Sequence, residues 1–550
     1  TTTPYKYYLK SYDFETGEHT LAGKDNALAS KTLRAGRGGN TTDTRVTYEG
    51  RLYHTAAWGN HQTSLTGVVQ AYERTFTPIQ SVLNGMPQRN LTYSVRGSYG
   101  YKDRYFGEVS VGYNGSERFA KGNRMGVFPA FGAAWVASNE KWMQRTSDWL
   151  SFLKFRFSWG KVGNDGIIST PRYVYLQDIG STSSGTTKDV EAYRTGGFNR
   201  RIINFYGDED IQWEIAEQAN LGVETKLFKG LLEIQADIYQ EFRHNILSKR
   251  YVIPANVGIE VAPLDNIGKT RSRGIDLSAK IQHQFSNDFW VILNGTLTYN
   301  KVKYEEIEEA TNKPSWQRMK GKEISQAIGY IAEGLFRDEA EIANSPRQDG
   351  DVMPGDIKYR DLNGDGSITV ADATYIGYPE TPRLIYGFSG FINYKRFEFS
   401  FSFQGSGKRT FFVNPSAISP FVGNHAMLTA IYNDHWSEDN MATRPFWPRL
   451  SPQNITAHNP QENWYAGAET RKSTYFMREC SFLRCTSIQL AYNMPRKLLN
   501  KWRMQNMKFF VSTNNPFCFT NFKLWDVELG ENGFNYPIQR TYSLGFNISF

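Results

Sequence analysis

The chain has 550 residues, with 63 Lys and Arg against 55 Asp and Glu and a formal net charge of +8. Over this length that excess is mild, and by itself it does not suggest nucleic acid as a partner, which needs basic residues gathered on one face. No run approaches the roughly 18 apolar residues of a spanning helix, and ordinary Gly and Pro usage excludes a collagen-like or low-complexity chain.

The first twenty residues, TTTPYKYYLKSYDFETGEHT, show no charged n-region, apolar h-region or cleavage site. The expectation is a chain that begins inside a longer one. From there the dominant signal is period two. Strands with one apolar and one polar face are expected near 46–58, 64–75, 91–101, 104–115, 124–135, 152–162, 218–228, 231–242, 272–283, 289–300, 384–394, 397–407, 482–492, 507–514 and 541–550. Leu153, Phe155, Phe157 and Trp159 alternate with Phe152, Lys154, Arg156 and Ser158. Leu232, Ile234, Ala236 and Ile238 alternate with Glu233, Gln235, Asp237 and Tyr239. Phe397, Phe399, Phe401 and Phe403 alternate with Glu398, Ser400, Ser402 and Gln404. Lengths of about 10–12 residues suit a membrane-crossing strand better than the usual five or six of a soluble sheet.

The connections alternate in length. Links 59–63, 102–103, 229–230, 284–288 and 395–396 are tight, whereas 76–90, 163–217, 243–271, 301–383 and 408–481 are long. Short turns at one rim and long loops at the other are the pattern of an outer-membrane barrel. Three links depart from it: 136–151 and 493–506 are long on the short side, and 116–123 is short on the long side. ASNEKWMQRTSDWLS (137–151) is expected to form a short helix under the barrel.

The polar faces carry too many charges to bury in a packed core, so they are assigned to a water-filled or plugged lumen and the apolar faces to lipid. Tyr93, Tyr99, Tyr113, Trp135, Trp159 and Tyr299 near strand ends would form interfacial girdles. The fold class expected is all-β, a large transmembrane antiparallel β-barrel with long extracellular loops. The competing architecture is a soluble propeller or double sandwich, which lacks this alternation of loop length.

Within 301–383, DLNGDGSITVAD (Asp361 to Asp372) spaces oxygen ligands as an EF-hand loop does, with Gly366 at the tight turn and Asp372 in place of the usual Glu. Calcium is the candidate ligand, held by Asp361, Asn363, Asp365, the Ser367 carbonyl and Asp372. The alternative is a polar turn held by Asx hydrogen bonds. The chain ends TYSLGFNISF, an alternating strand with a terminal aromatic.

No catalytic constellation emerges. The eight His residues form no metal or base motif, and Glu305–Glu306 and Glu308–Glu309 are assigned to a solvated face. Cys480, Cys485 and Cys518 carry neither a disulfide framework nor metal-ligand spacing. Trp213, Trp316, Trp436, Trp447, Trp464 and Tyr465 fall in the long loops, where aromatics either stack on a ligand or pack the loops; packing is the favoured role for Trp436. No substrate-binding residue is assigned.

Several segments resemble the SusC/RagA family of TonB-dependent outer-membrane transporters. They are DRYFGEVSVGYNGSERFAKGNRMGVFPAFGAAW (103–135), LSFLKFRFSWGKVGND (150–165), WEIAEQANLGVE (213–224), PGDIKYRDLNGDGSITVADATYIG (354–377), SFLRCTSIQLAYNMP (481–495) and YPIQRTYSLGFNISF (536–550). The matches are in order and cover most of residues 90–550. The resemblance implies a barrel of twenty-two strands, about fifteen of them here, so that residues 1–550 form the C-terminal barrel portion, with the N-terminal plug and TonB box outside this chain. It also implies location in the bacterial cell outer membrane and import of an oligosaccharide or oligopeptide. The partners implied are TonB, a SusD-like surface lipoprotein, membrane lipid and a second barrel–lid pair. A passive porin or adhesion barrel without energy coupling is the alternative.

Overall fold

The computed structural model describes residues 7–13, 16, 18–23, 42–77, 86–166, 173–182, 200–257, 259, 261–420, 426–441, 444–450, 472–531, 533 and 535–550. Two compact units emerge, residues 1–49 with 70–91, and residues 50–69 with 92–550. The first holds a hairpin, Tyr7–Tyr12 against His19–Gly23. It is also cross-linked by Arg74 to Asp43 at 2.5 Å and Arg89 to Glu73 at 2.8 Å.

Fifteen long strands form the principal sheet. They are β1 (Thr42–Trp58), β2 (His61–Thr77), β3 (Gln88–Tyr101), β4 (Tyr105–Ser116) and β5 (Met125–Val136). Next come β6 (Leu150–Asn164), β7 (Glu214–Leu227), β8 (Leu232–Lys249), β9 (Leu264–Ser286) and β10 (Phe289–Glu306). The last are β11 (Leu384–Tyr394), β12 (Phe397–Gly407), β13 (Phe482–Asn493), β14 (Asn506–Asn514) and β15 (Thr541–Ser549). Neighbours in the sheet follow chain order throughout, a meander, with Cys518–Thr520 pairing beside β13. Each of the fifteen expected segments falls on one of these strands, overhanging an end by at most one residue.

Register keeps the two faces separate across the sheet. Phe157, Leu221, Ile238, Ile275 and Tyr299 lie opposite one another from β6 to β10. Ile392, Phe399, Leu490, Val511 and Leu544 do the same from β11 to β15. A one-residue slip would turn every one of these side chains to the polar side. Many stay uncovered: Val109, Ile238, Val511 and Leu544 are all more than half exposed. Among the described residues no helix is long and apolar enough to cross a membrane.

Four of the five tight links contain residues in left-handed backbone, among them Gly59, Lys229 and Lys395. Lys102 and Asp103 have φ of +53° and +50°, both central positions of a primed hairpin turn, whose twist matches that of the flanking strands. The two over-long links on this rim hold helical turns. Residues 137–139 and 141–146 form two 3₁₀ turns instead of one helix, and Arg496–Lys501 forms a short α-helix. Glu140 breaks the first pair: its extended backbone separates the turns while its carboxylate accepts from Tyr105 Oη at 2.5 Å and Arg104 Nη1 at 3.2 Å.

The dry core of this protein lies in the long connections. Tyr330, Ile357, Tyr359, Val413, Ile431 and Phe476 are at most 1% exposed and belong to one cluster that draws on 327–376, 410–447 and 473–529. A second cluster explains the short 116–123 link. Phe119 within it is fully buried against Phe128, Val174, Phe205, Ile211 and Trp213.

Candidate functional site

Two places gather functional chemistry: the polar face of the sheet and the layer of long connections. On the polar face, charges pair across strands. Arg156 on β6 and Asp237 on β8 are separated by β7, yet their side chains meet at 2.6 Å. Both stand opposite Gly222 in register, and a Cβ there would sit 2.7 Å from Asp237 Oδ1 and 2.8 Å from Arg156 Cζ. Glycine thus leaves the passage through which an arginine reaches across a strand. Glu224 joins the same cluster, 3.0 Å from Arg156 and 3.2 Å from Lys154.

Asp237 lies directly opposite Asp276, and Oδ1 of each is buried without a hydrogen-bond partner, as is Oδ1 of Asn220. Two carboxylates facing each other, with Arg156 on one of them, make this stretch of the wall strongly polar. Beside it is a concavity of about 1080 Å³ whose lining includes Gln218, Tyr239, Glu241, Arg243, Ser272 and Asp276. The sequence pattern marked these positions as polar and could not rank them, because the cluster depends on register and on what Gly222 lacks.

In the connection layer, three of the four described loop tryptophans are packed into apolar clusters. Trp213 is 7% exposed, contacts Phe119 and Phe128, and donates from Nε1 to the Arg124 carbonyl at 3.1 Å. Trp316 Nε1 donates to the Ala371 carbonyl at 2.8 Å. Trp436 packs against the main cluster and lies over Gly355, whose φ of +87° and missing Cβ make room for the indole. Trp447 is 3% exposed. Trp464 and Tyr465 lie outside the described residues.

The assignment of Glu308 and Glu309 to a solvated face is corrected. Glu308 clasps the 250–263 connection: Oε1 accepts from the Tyr251 and Val252 amides at 2.7 and 2.8 Å, and Oε2 from Arg250 Nε at 2.8 Å. Glu309 accepts from the Met319 amide at 2.8 Å and from Lys313 Nζ at 2.9 Å. Burial opposes ionisation of Glu309, but that amide and the Lys313 ammonium outweigh it and hold the carboxyl below its usual range. A run of four acids read one residue at a time gives no sign that two of them anchor loops.

The candidate calcium ligands sit on one compact turn. Asp361 Oδ1 accepts from the Gly364 amide at 2.7 Å and Oδ2 from the Gly366 amide at 2.8 Å. Gly364 and Gly366 have φ of +74° and +79°, which the turn requires. The Gly366 amide is the main cause of an Asp361 carboxyl held below its ordinary range, against the opposing effect of desolvation. This stabilisation is present above the ordinary carboxyl pKa of about 3.9 and is lost as pH falls through the lower folded value. Asp365 Oδ1 accepts from the Ser367 amide at 2.8 Å, and Asn363 Nδ2 donates to Asp365 Oδ2 at 2.8 Å. Asp372 is fully buried and turned inward: Oδ1 accepts from the Leu362 amide at 2.8 Å and Oδ2 from the Thr369 amide at 2.7 Å, closing a capping box. Among the described residues no three His, Cys, Asp or Glu side chains converge as a metal set. Asp361, Asn363 and Asp365 fit the solvent side of a cation loop. Recruiting Asp372 would require it to give up amide bonds.

Comparison with known proteins places the chain. The family described as "TonB dependent receptor-like, beta-barrel" matches residues 2–416. TonB-dependent receptor P26 of Formosa agariphila is 25% identical over 509 residues, 86% of this chain and 48% of that protein. TonB-dependent receptor SusC of Bacteroides thetaiotaomicron is 25% identical over 482 residues, 84% of this chain and 44% of that one. Among solved structures, the RagAB peptide transporter superposes with a TM-score of 0.69 at 19% identity, over 93% of this chain and 56% of that one. The chain spans about half the length of these curated relatives.

Proposed function

The chain belongs to the TonB-dependent receptor-like β-barrel family, and on that premise we propose that it is the barrel wall of an active importer of large nutrients, oligosaccharides or oligopeptides. It is a multi-pass β-barrel protein of the bacterial outer membrane. The observation that carries the reading is the sheet's two faces. One is apolar and uncovered along the middle of the strands; the other is charged and paired across strands. A plug from outside this chain would occupy the polar side, energy would arrive through TonB, and no chemical reaction on the cargo is part of the proposal. A SusD-like surface lipoprotein would cap the long-connection rim, and two such barrel–lid pairs would associate. A solved relative carrying the two-component name RagAB supports the pairing, as does a loop layer with a dry core of its own, far more than a pore mouth needs.

The test is affinity purification of the tagged full-length protein from native membranes in mild detergent. Stoichiometric recovery of a surface lipoprotein is expected. A barrel recovered alone, with uptake indifferent to loss of TonB, would establish the porin alternative.

Calcium in the 361–372 turn belongs to the same proposal as an element that orders the rim. Its support is the ligand spacing and the exposed Asn363 and Asp365 side chains, with the half-buried Asp361 carboxylate beside them. With Asp372 already committed to backbone amides, affinity should fall in the weak range of extracellular sites, about 10⁻⁴–10⁻³ M. In hydrogen exchange, millimolar calcium should slow the amides of residues 362–368 in the wild type and leave Asp361→Ala unchanged, with barrel assembly intact in both. Identical exchange with calcium and with a chelator would remove the metal from the proposal.

A further inference from the structure

On β8 to β10 the apolar face changes chemistry from one row of side chains to the next, two residues on. The row Phe157, Leu221, Ile238, Ile275 and Tyr299 is followed by Trp159, Ala219, Gln240, Arg273 and Lys301. The next row is Lys161, Glu217, Phe242, Arg271 and Lys303. On β10 the apolar-face positions run from Phe289 to Tyr299. At about 3.3 Å per residue and a tilt near 40°, this stretch rises roughly 25 Å, the height of the lipid-facing band of an outer-membrane barrel. Lys301 is therefore the first side chain of β10 above the hydrocarbon, on the long-connection side and so in the outer leaflet.

Some charges in this belt are already matched. Lys161 pairs with Glu217 at 2.7 Å, Arg271 with Glu305 at 2.7 Å, and Lys301 shares Glu323, at 3.3 Å, with Arg383. Others are not: among the described residues Arg273, Lys303 and Lys408 have no carboxylate within ion-pair distance. Arg273 is exposed and uses Nε on Gln240 Oε1 at 2.8 Å. Lys408 lies over the Tyr299 ring at 5.2 Å. Between these strands the face is hollowed into an open groove of about 550 Å³ whose lining includes Phe157, Leu221, Ile238, Ile275 and Tyr299, with Gln240 and Arg273 at its upper edge.

We propose that this groove and its basic upper edge form a binding site for a phosphorylated lipid of the outer leaflet. An acyl chain lies along Leu221, Ile238 and Ile275, and the phosphate is held by Arg273 with Lys303 and Lys408. The combination selects this occupant. A free anion has no use for the groove, a neutral lipid leaves the cations unmatched, and an acidic protein cannot reach a groove that lies within hydrocarbon. A guanidinium donates two parallel N–H bonds to a phosphate, which suits Arg273 to the central position. The inference rests on the orientation of the barrel in the outer membrane and is independent of import.

The test uses the full-length protein in phosphatidylcholine nanodiscs containing a small mole fraction of phosphorylated lipid A, with bound lipid read by native mass spectrometry. One basic residue near an anionic lipid surface is worth roughly fivefold in affinity, so Arg273→Gln with Lys303→Gln and Lys408→Gln should weaken retention on the order of 100-fold. Ile275→Trp fills the groove with every charge intact and should also reduce retention, which keeps the test decisive if the triple variant fails to fold. Equal retention by wild type and both variants would overturn the site. So would equal retention of dephosphorylated lipid A, or displacement by inorganic phosphate alone, which would mark a free-anion site. Variants that keep the lipid but lose a surface protein would reassign the belt to protein docking.

Discussion

Phe401→Arg should destabilise the folded barrel by about 2–4 kcal/mol, and Ser402→Arg by much less. The two residues are adjacent and differ in face. Phe401, midway along β12, stands between Gly390 and Ile488, and its ring covers Gly390 so closely that a Cβ there would lie 2.4 Å from Cζ. Ser402 stands between Ser389 and Ser487 on the polar side. An arginine at 401 must place its guanidinium near mid-hydrocarbon or bend a long way to leave it, whereas at 402 it enters a wall that already carries arginine and lysine. Urea titration of the protein refolded into vesicles measures both. Equal penalties would mean that the faces are assigned the wrong way round.

The barrel strands were legible because lipid on one side and water on the other impose strict alternation, and alternation survives in a single sequence. The same reasoning explains where the reading stops. β9 runs from Leu264, eight residues before the expected start at 272. That extension, LDNIGKTR, stands above the hydrocarbon, where neither side chooses apolar residues and period two disappears. What holds it is the ladder to β8 and β10 and pairs such as Lys269 with Glu306 at 2.5 Å. The basic row at Arg273 and Lys301 was equally hidden: its members come from different strands, and only register brings them level.

The connection layer was less legible still. Tyr330, Phe411 and Phe476 meet in one cluster although long stretches of chain separate them, and no periodicity marks them. Of the aromatic residues there, Trp213, Trp436 and Trp447 are packed into the two apolar clusters. Compositional signals find the residues of such a layer. Burial decides their use, and burial depends on how three connections fold together.

The firmest expectation for that layer concerns a charge pair inside it. Asp356 is fully buried and accepts from Arg449 Nε at 2.7 Å and from the Met353 amide at 2.9 Å. The pair ties 353–357 to the segment carrying Trp447, and Arg449 also donates its own amide to the Gly355 carbonyl at 3.1 Å. Asp356→Ala leaves a largely buried guanidinium, whose Nη2 already lacks a partner, without its counter-charge. Breaking one side of such a pair costs about 3–5 kcal/mol, whereas replacing both members with apolar groups of similar volume is often neutral. Asp356→Ala should therefore accelerate amide exchange at Phe336 and Arg449, which bond to the carbonyls of Asp356 and Gly355, and leave the ladders of β11 and β12 unchanged. Adding Arg449→Met should restore most of the protection. A single variant that exchanges like the wild type would show that the layer is held by its apolar cluster alone; failure of the double variant to recover would show that Arg449 contributes through packing of its stem as well as its charge.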